Sequence, residues 1–394
     1  MPTMSPPMWR RNWHDGWVKN NTLKKVIACV TNDLYSDQRV DKVCNSLTSM
    51  GFEVLLVGRR YADSPTLSER RYKTDRMRLI FRKKAIFYAE FNIRLFFYLL
   101  FRKCDIVISN DLDTLLPCFL VSRLKRKRIV YDSHEYFCGV PEIIGRPFVQ
   151  KTWQAIERLC FPKLEDVITV NQSIADLYDK EYPMRKNPVN VVRNIPTRGK
   201  PPITETRASL GMPEDKKVLL LQGAGINVDR GSEELVEAMK YVDNAVLFIV
   251  GSGDAVPGLK QKVAEENLQE KVQFVDRQPF AKLFNYTYWS DIGFSLDKDT
   301  NINYRYSLPN KIFDYLKAET PVIVSDLPEI AKVVRENEVG IVVQDHQPQT
   351  IANAINRLLE DEALLQRFKR NTIAAAEKYC WENEEAVLRK IYLK

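Results

Sequence analysis

In the stretch KVLLLQGAGINVDRGSEELVEAM, residues 217–239, a continuous apolar run ends in two glycines and gives way to an amphipathic segment. An apolar run of this length, without alternation, fits a strand covered on both faces, and the segment after it fits the helix that crosses over to the next parallel strand. The same unit recurs along the chain. Before it come KVIACVTN, FEVLLVGR, DIVISND, KRIVYDSH, DVITVN and VNVVRN; after it come AVLFIVG, VQFVD, IGFSLD, PVIVSD and GIVV. The pattern predicts an α/β protein of two doubly wound, Rossmann-like domains facing a cleft.

A length of 394 residues exceeds what one hydrophobic core organises, which agrees with two domains. Pro, Gly and Thr cluster between the halves. The expected division is an arm over 1–22, a first domain over 23–195, a linker over 196–206, a second domain over 207–376 and a closing segment over 377–394. Charge divides with the domains: residues 1–195 hold 33 Lys and Arg against 21 Asp and Glu, and residues 196–394 hold 26 against 30. The first half is thus expected to meet something anionic, with a membrane surface as the candidate; the basic region carries no nucleic-acid motif.

Seven cysteines stand without close pairs, as reduced core residues do, and three histidines make a His-rich metal site an unpromising reading. The N-terminal residues lack the apolar core of a secretory signal, so the expected location is cytoplasmic, with the inner face of the membrane as a peripheral site. Two segments depart from the α/β alternation. Residues 69–103 combine 11 basic with 9 aromatic residues, the composition of a membrane-surface helix or of a core helix with a solvated basic face. Trp9, Trp13 and Trp17 recur every four residues in the arm, on one helical face.

In open parallel sheets ligands bind beyond the carboxyl ends of the strands, where helix starts offer unpaired N–H groups. YSLPNKIFDYLKAETPVIVSD, residues 306–326, fits such a place for phosphate. Ser307 is expected to cap, Pro309 to open the first turn, and Asn310 and Lys311 to add a donor and a charge. Asp314, one turn on, is placed to accept from sugar hydroxyls. Gly223 and Gly225 permit close backbone approach, Arg230 is suited to clamp a diphosphate, and Gly251 opens a second glycine-rich exit. In the first half, His134 follows a strand directly, and Arg39 is positioned to reach a ligand held between domains. DLD at 111–113 and DKD at 297–299 imitate a metal-binding carboxylate pair but read as chance matches.

These segments in order, DQRVDKVCNSLTSMGFEVLLV, SNDLDTLLP, VYDSHEYF, VVRNIP, LLQGAGINVDRGSEELVEAM and SLPNKIFDYLKAETPVIVSDLPEI, resemble a glycosyltransferase of GT-B fold in the retaining family-four group. The resemblance runs from about Val26 to Tyr392. It implies an acceptor domain followed by a nucleotide-sugar domain, and a last helix crossing back to the first, with Trp381 helping to join them. Arg230 stands where the family has a diphosphate-binding Lys; Ser307, Asn310 and Lys311 match the phosphate-binding helix start. Asp314 takes the second acidic position, for ribose, while Tyr306 occupies the first and Gly225 replaces a common Arg. His134 matches a residue beside the acceptor and the transferred sugar.

The implied function is retaining transfer of a sugar from a nucleotide-sugar to a glycan or lipid-linked acceptor, in envelope or polysaccharide synthesis. Arg230, Lys311 and His134 form the catalytic set, and neither metal nor other cofactor is expected. A nucleotide-sugar 2-epimerase of similar architecture and a non-catalytic nucleotide-sugar-binding protein are the alternatives.

Overall fold

A computed structural model describes residues 23–35, 37–140 and 143–394. The expected arm over 1–22, with Trp9, Trp13 and Trp17, lies outside the described residues. The first domain is built on a seven-stranded sheet of β1 (Lys25–Asp33), β2 (Glu53–Arg60), β3 (Lys73–Arg78), β4 (Ile106–Asn110), β5 (Arg128–Ser133), β6 (Asp166–Thr169) and β7 (Asn190–Val191). Their spatial order is β3-β2-β1-β4-β5-β6-β7, and every pairing is parallel.

The second domain repeats the scheme with six strands: β8 (Lys217–Gly223), β9 (Ala245–Gly251), β10 (Val272–Val275), β11 (Ile292–Ser295), β12 (Val322–Ser325) and β13 (Gly340–Val343). The order is β10-β9-β8-β11-β12-β13, again parallel throughout. In each sheet the order reverses beside the first strand, β1 or β8, and that switch opens the crevice in which α/β proteins hold ligands. The continuous apolar runs produce this layering directly: β4, β6, β11 and β12 are buried along their whole length between helices on both faces.

The final helix, Trp381–Tyr392, returns to the first domain. Its Leu388, Ile391 and Tyr392 join Val26, Val43 and Leu47 in one apolar cluster. Trp381 ties both sides of the crossing: its indole Nε1 donates to Ser46 Oγ at 2.9 Å, and its amide donates to the Pro196 carbonyl at 2.9 Å. The helix starts later than the expected boundary at 377, because helix Glu362–Lys378 continues through it.

The basic aromatic segment includes a helix that packs on the core through one face. Helix Lys84–Leu100 buries Phe87, Phe91, Leu95 and Leu99 against the core, while Ile86, Ile93 and Phe97 remain more than half exposed on the other side. No helix among the described residues is long and apolar enough to cross a membrane. All seven cysteines are buried and unpaired.

Candidate functional site

Helix Asn310–Lys317 begins immediately after Pro309, which is itself the N-cap residue at φ −65° and ψ 138°, and no side chain caps it. This corrects two expectations. Ser307 does not cap, because its hydroxyl donates to Asp297 Oδ2 at 3.4 Å, and Pro309 precedes the first turn instead of opening it. The N–H groups that any helix start leaves unpaired therefore have no side-chain acceptor here. They border a cavity of about 410 Å³ at the carboxyl ends of β8 and β9, lined by Gly223, Gly225, Arg230, Gly251, Asn310, Lys311 and Asp314.

Glycine at 251 is dictated by packing. Its φ is +144°, and a Cβ there would lie 1.8 Å from the carbonyl oxygen of Gly223, its register partner on β8. At Gly225 the nearest atom to such a Cβ, Asn227 Nδ2, is 3.7 Å away, so the absent Arg leaves open space.

Arg230 extends into the cavity with its Nη1 3.2 Å from Asp297 Oδ1 and its guanidinium 4.7 Å from the Tyr304 ring centre. Its Nε is buried and without a hydrogen-bond partner among the described residues. Burial pushes the Lys311 ammonium below its ordinary value; Asp297 opposes that shift and the charge of Arg230 adds to it. Arg230 is paired with the buried Asp297 and Lys311 lies in the field of both, an arrangement of positive charge that an incoming anion relieves. Asp297, only 1 % exposed, is the residue that sequence reading passed over as a chance match. The signal was its place two residues past the strand IGFS, at a carboxyl end.

Burial pushes the Asp314 carboxyl up to about 6, offset in part by Lys317 and Lys42. Lys42, on the first domain, donates to Asn194 Oδ1 at 2.9 Å and the Ile195 carbonyl at 2.6 Å at that domain's end. Burial holds its ammonium at about 8.

A second cavity, of about 540 Å³, adjoins the first and shares Gln38, Arg230, Pro309 and Asn310 with it. Arg39, His134, Tyr306 and Ser307 line it. His134 is fixed from three sides. Its amide donates to Asp111 Oδ1 at 2.8 Å, its Nδ1 lies 3.3 Å from Asp111 Oδ2, and its Nε2 lies 3.3 Å from Asn110 Oδ1. Asn110 gives its Nδ2 to the Cys29 carbonyl, which turns Oδ1 toward the imidazole.

Arg39, expected to reach a ligand, is instead 3 % exposed with its guanidinium engaged by the protein. Nε and Nη2 meet Asp132 at 3.3 and 2.6 Å, and Nη1 donates to the Val192 carbonyl at 2.7 Å. It braces the cavity wall. Tyr306 faces away from the role of a carboxylate: it packs against the core of the first domain, and its carbonyl accepts from Asn171 Nδ2 at 2.7 Å. Nearby, Asn303 pairs with Tyr136 in both directions, accepting from its amide at 2.9 Å and donating to its carbonyl at 3.1 Å. The DLD carboxylates are also occupied, Asp111 by His134 and Asp113 by the Thr31 hydroxyl. No group of three metal-ligating side chains occurs among the described residues.

Two family models cover the two domains: Glycosyltransferase Family 4 matches residues 37–195 and Glycosyl transferases group 1 matches residues 202–375. An uncharacterized glycosyltransferase of Methanocaldococcus jannaschii is 27% identical over 187 residues, 45% of this chain and 45% of that protein. The chain spans about half the length of the curated relatives it matches. Sucrose-phosphate synthase from Thermosynechococcus elongatus superposes with a TM-score of 0.75 at 19% identity, covering 94% of this chain and 98% of that one. Anabaena HepE in complex with UDP-glucose superposes at 0.73 and 14% identity, covering 93% and 98%.

Proposed function

We propose that this chain, which belongs to the GT-B glycosyltransferases of the family-four group, transfers a sugar from a nucleotide-sugar to a glycan or lipid-linked acceptor with retention of configuration. One observation carries the reading. Arg230, Lys311 and an uncapped helix start converge on one cavity, and that cavity joins the one containing His134 through Arg230 and Asn310. The first is suited to a diphosphate, and the second to the hydroxyl that receives the sugar. The UDP-glucose complex of the similar Anabaena protein supports a nucleotide-sugar as the donor.

In this mechanism the bond from the sugar C1 to the diphosphate oxygen breaks, and its electron pair goes to the leaving diphosphate. Arg230, Lys311 and the amides at the helix start meet that growing charge in fixed positions. The acceptor hydroxyl attacks C1 from the face that the diphosphate leaves, and its proton passes to a departing phosphate oxygen. His134, held on both ring nitrogens, positions the acceptor and the transferred sugar. The reading requires no metal, since the charge is met by side chains and backbone. Envelope or polysaccharide assembly at the inner membrane surface is the setting that the basic first domain suits.

Calorimetric titration with the matching nucleoside diphosphate tests the assignment. Asp314→Asn is expected to weaken binding roughly ten- to hundredfold, the worth of a charge-assisted hydrogen bond to ribose. In the native protein, affinity is expected to fall as pH drops through about 6, because protonation removes the acceptor that ribose requires. In the same titration His134→Ala should bind as the native protein does while its turnover falls, since His134 lies on the other domain. Unchanged affinity for a folded Asp314→Asn variant would move the ribose site elsewhere.

A further inference from the structure

Along the same carboxyl edge of the first sheet, four arginines meet around a separate cavity of about 390 Å³. Arg59 and Arg60 end β2, Arg78 ends β3, and Arg82 follows on the loop to the next helix, with Tyr61 and Phe81 beside them. The parallel register sets Arg60 opposite Arg78. Like charges on neighbouring strands repel, so this pairing is unfavourable with nothing between them.

Three other arginines of this region are neutralised: Arg76 meets Asp33 at 3.1 Å, Arg94 meets Glu90 at 2.8 Å and Arg102 meets Asp75 at 3.3 Å. Arg59, Arg60, Arg78 and Arg82 have no such carboxylate among the described residues. Glu90 is fully occupied, since it also accepts from the amides of Ile80 and Phe81 at 3.0 and 2.8 Å, which fixes the loop carrying Phe81 and Arg82. The guanidinium of Arg59 is held between two rings, 4.2 Å from Tyr61 and 4.4 Å from Phe87, and its Nε is buried without a partner. Guanidinium groups so placed present paired N–H donors that match phosphate oxygens.

We propose that this cavity binds the phosphate or diphosphate group of the acceptor, an amphiphile whose apolar part lies over the exposed Ile80, Phe81 and Ile86 beside it. The inference rests on the glycosyltransferase reading and narrows its acceptor to a phosphorylated one. The sheet order puts the end of β2 three strands from the end of β5, where His134 follows. At about 4.8 Å per strand that is roughly 14 Å, a span that a short glycan bridges between the anion and the reacting hydroxyl.

Farnesyl diphosphate serves as the probe, titrated into the native protein, into Arg60→Ala/Arg78→Ala and into Arg60→Lys/Arg78→Lys. Both positions end strands and are solvent-facing at Arg60 and Arg78, so the fold should survive; circular dichroism verifies it. The alanine pair is expected to bind the probe at least tenfold more weakly, the lysine pair to retain an intermediate affinity, and both to bind nucleoside diphosphate as the native protein does. Equal probe affinity in all three proteins overturns the proposal and leaves the donor cleft untouched. Sedimentation with phosphatidylglycerol vesicles forms the second arm. If the alanine pair loses vesicle binding but keeps farnesyl diphosphate, the arginines hold bilayer headgroups and the acceptor assignment falls. Arginine-dependent probe binding in a protein that binds no nucleotide-sugar or nucleoside diphosphate would instead keep the anion site and remove the glycosyltransferase reading on which its role as an acceptor site depends.

Discussion

Lys311→Ala is expected to lower turnover by about 10²–10³, the cost of removing one fixed donor from a group that develops negative charge. Its ammonium is held low by burial and lies in the field of Asp297 and Arg230, so it has little else to do than meet an anion. Charge on the leaving diphosphate grows toward the transition state, and interactions that strengthen there act on rate more than on substrate affinity. Single-turnover measurements with saturating donor, repeated in excess chelator, separate the two quantities. The native rate should be the same with and without chelator, and the variant should lose rate in both. A variant that binds donor weakly yet turns over at the native rate would make Lys311 a ground-state contact only, and activity restored by manganese or magnesium would overturn the metal-free mechanism.

Trp381→Ala is expected to destabilise the protein by about 3–5 kcal/mol, the range for emptying a buried aromatic site. The indole is 4 % exposed and packs in the cluster that holds Val26 and Leu47, with the Lys42 ammonium 5.1 Å from its ring centre. Its hydrogen bond to Ser46 is lost with it, leaving a buried hydroxyl to find another partner. Denaturant unfolding, followed separately through each domain, should show the loss in the first domain even though the substitution lies near the end of the chain. A change below about 1 kcal/mol, ordinary for a surface position, would mean that the crossing helix is not held by this residue.

The fold was legible because its signal is local. An apolar run such as LLLQ or VIVS, repeated between helical segments, fits a parallel strand covered on both faces, while the return of the last helix was implied by the family resemblance. Gly223, Gly225, Gly251, Arg230, Asn310, Lys311 and Asp314 do come together in one cavity, because each stands at a strand exit or a helix start on the same edge. What stayed hidden depends on partners far apart in sequence. Arg39, on the helix after β1, reads as a free cation until Asp132, on β5, is brought to 2.6 Å. Asp297 reads as half of a chance motif until Arg230 is brought to it across the sheet. The basic residues between 69 and 103 were visible, but their meeting with Arg59 and Arg60 follows from the register of β2 and β3, which no single segment states.

The returning helix has a consequence for how the protein is made. Residues Leu388, Ile391 and Tyr392 complete, with Trp381, an apolar cluster whose other buried members, from Val26 to Val192, belong to the first domain, and Arg128 reaches the Ile391 carbonyl to hold them. On the ribosome the first domain therefore emerges with one face of its core uncovered, and it stays so while the whole second domain is synthesised. Domains generally fold in the order of their synthesis. The second domain can close on its own strands, whereas the first, made before it, must wait, apolar groove open, for the helix that follows the second domain.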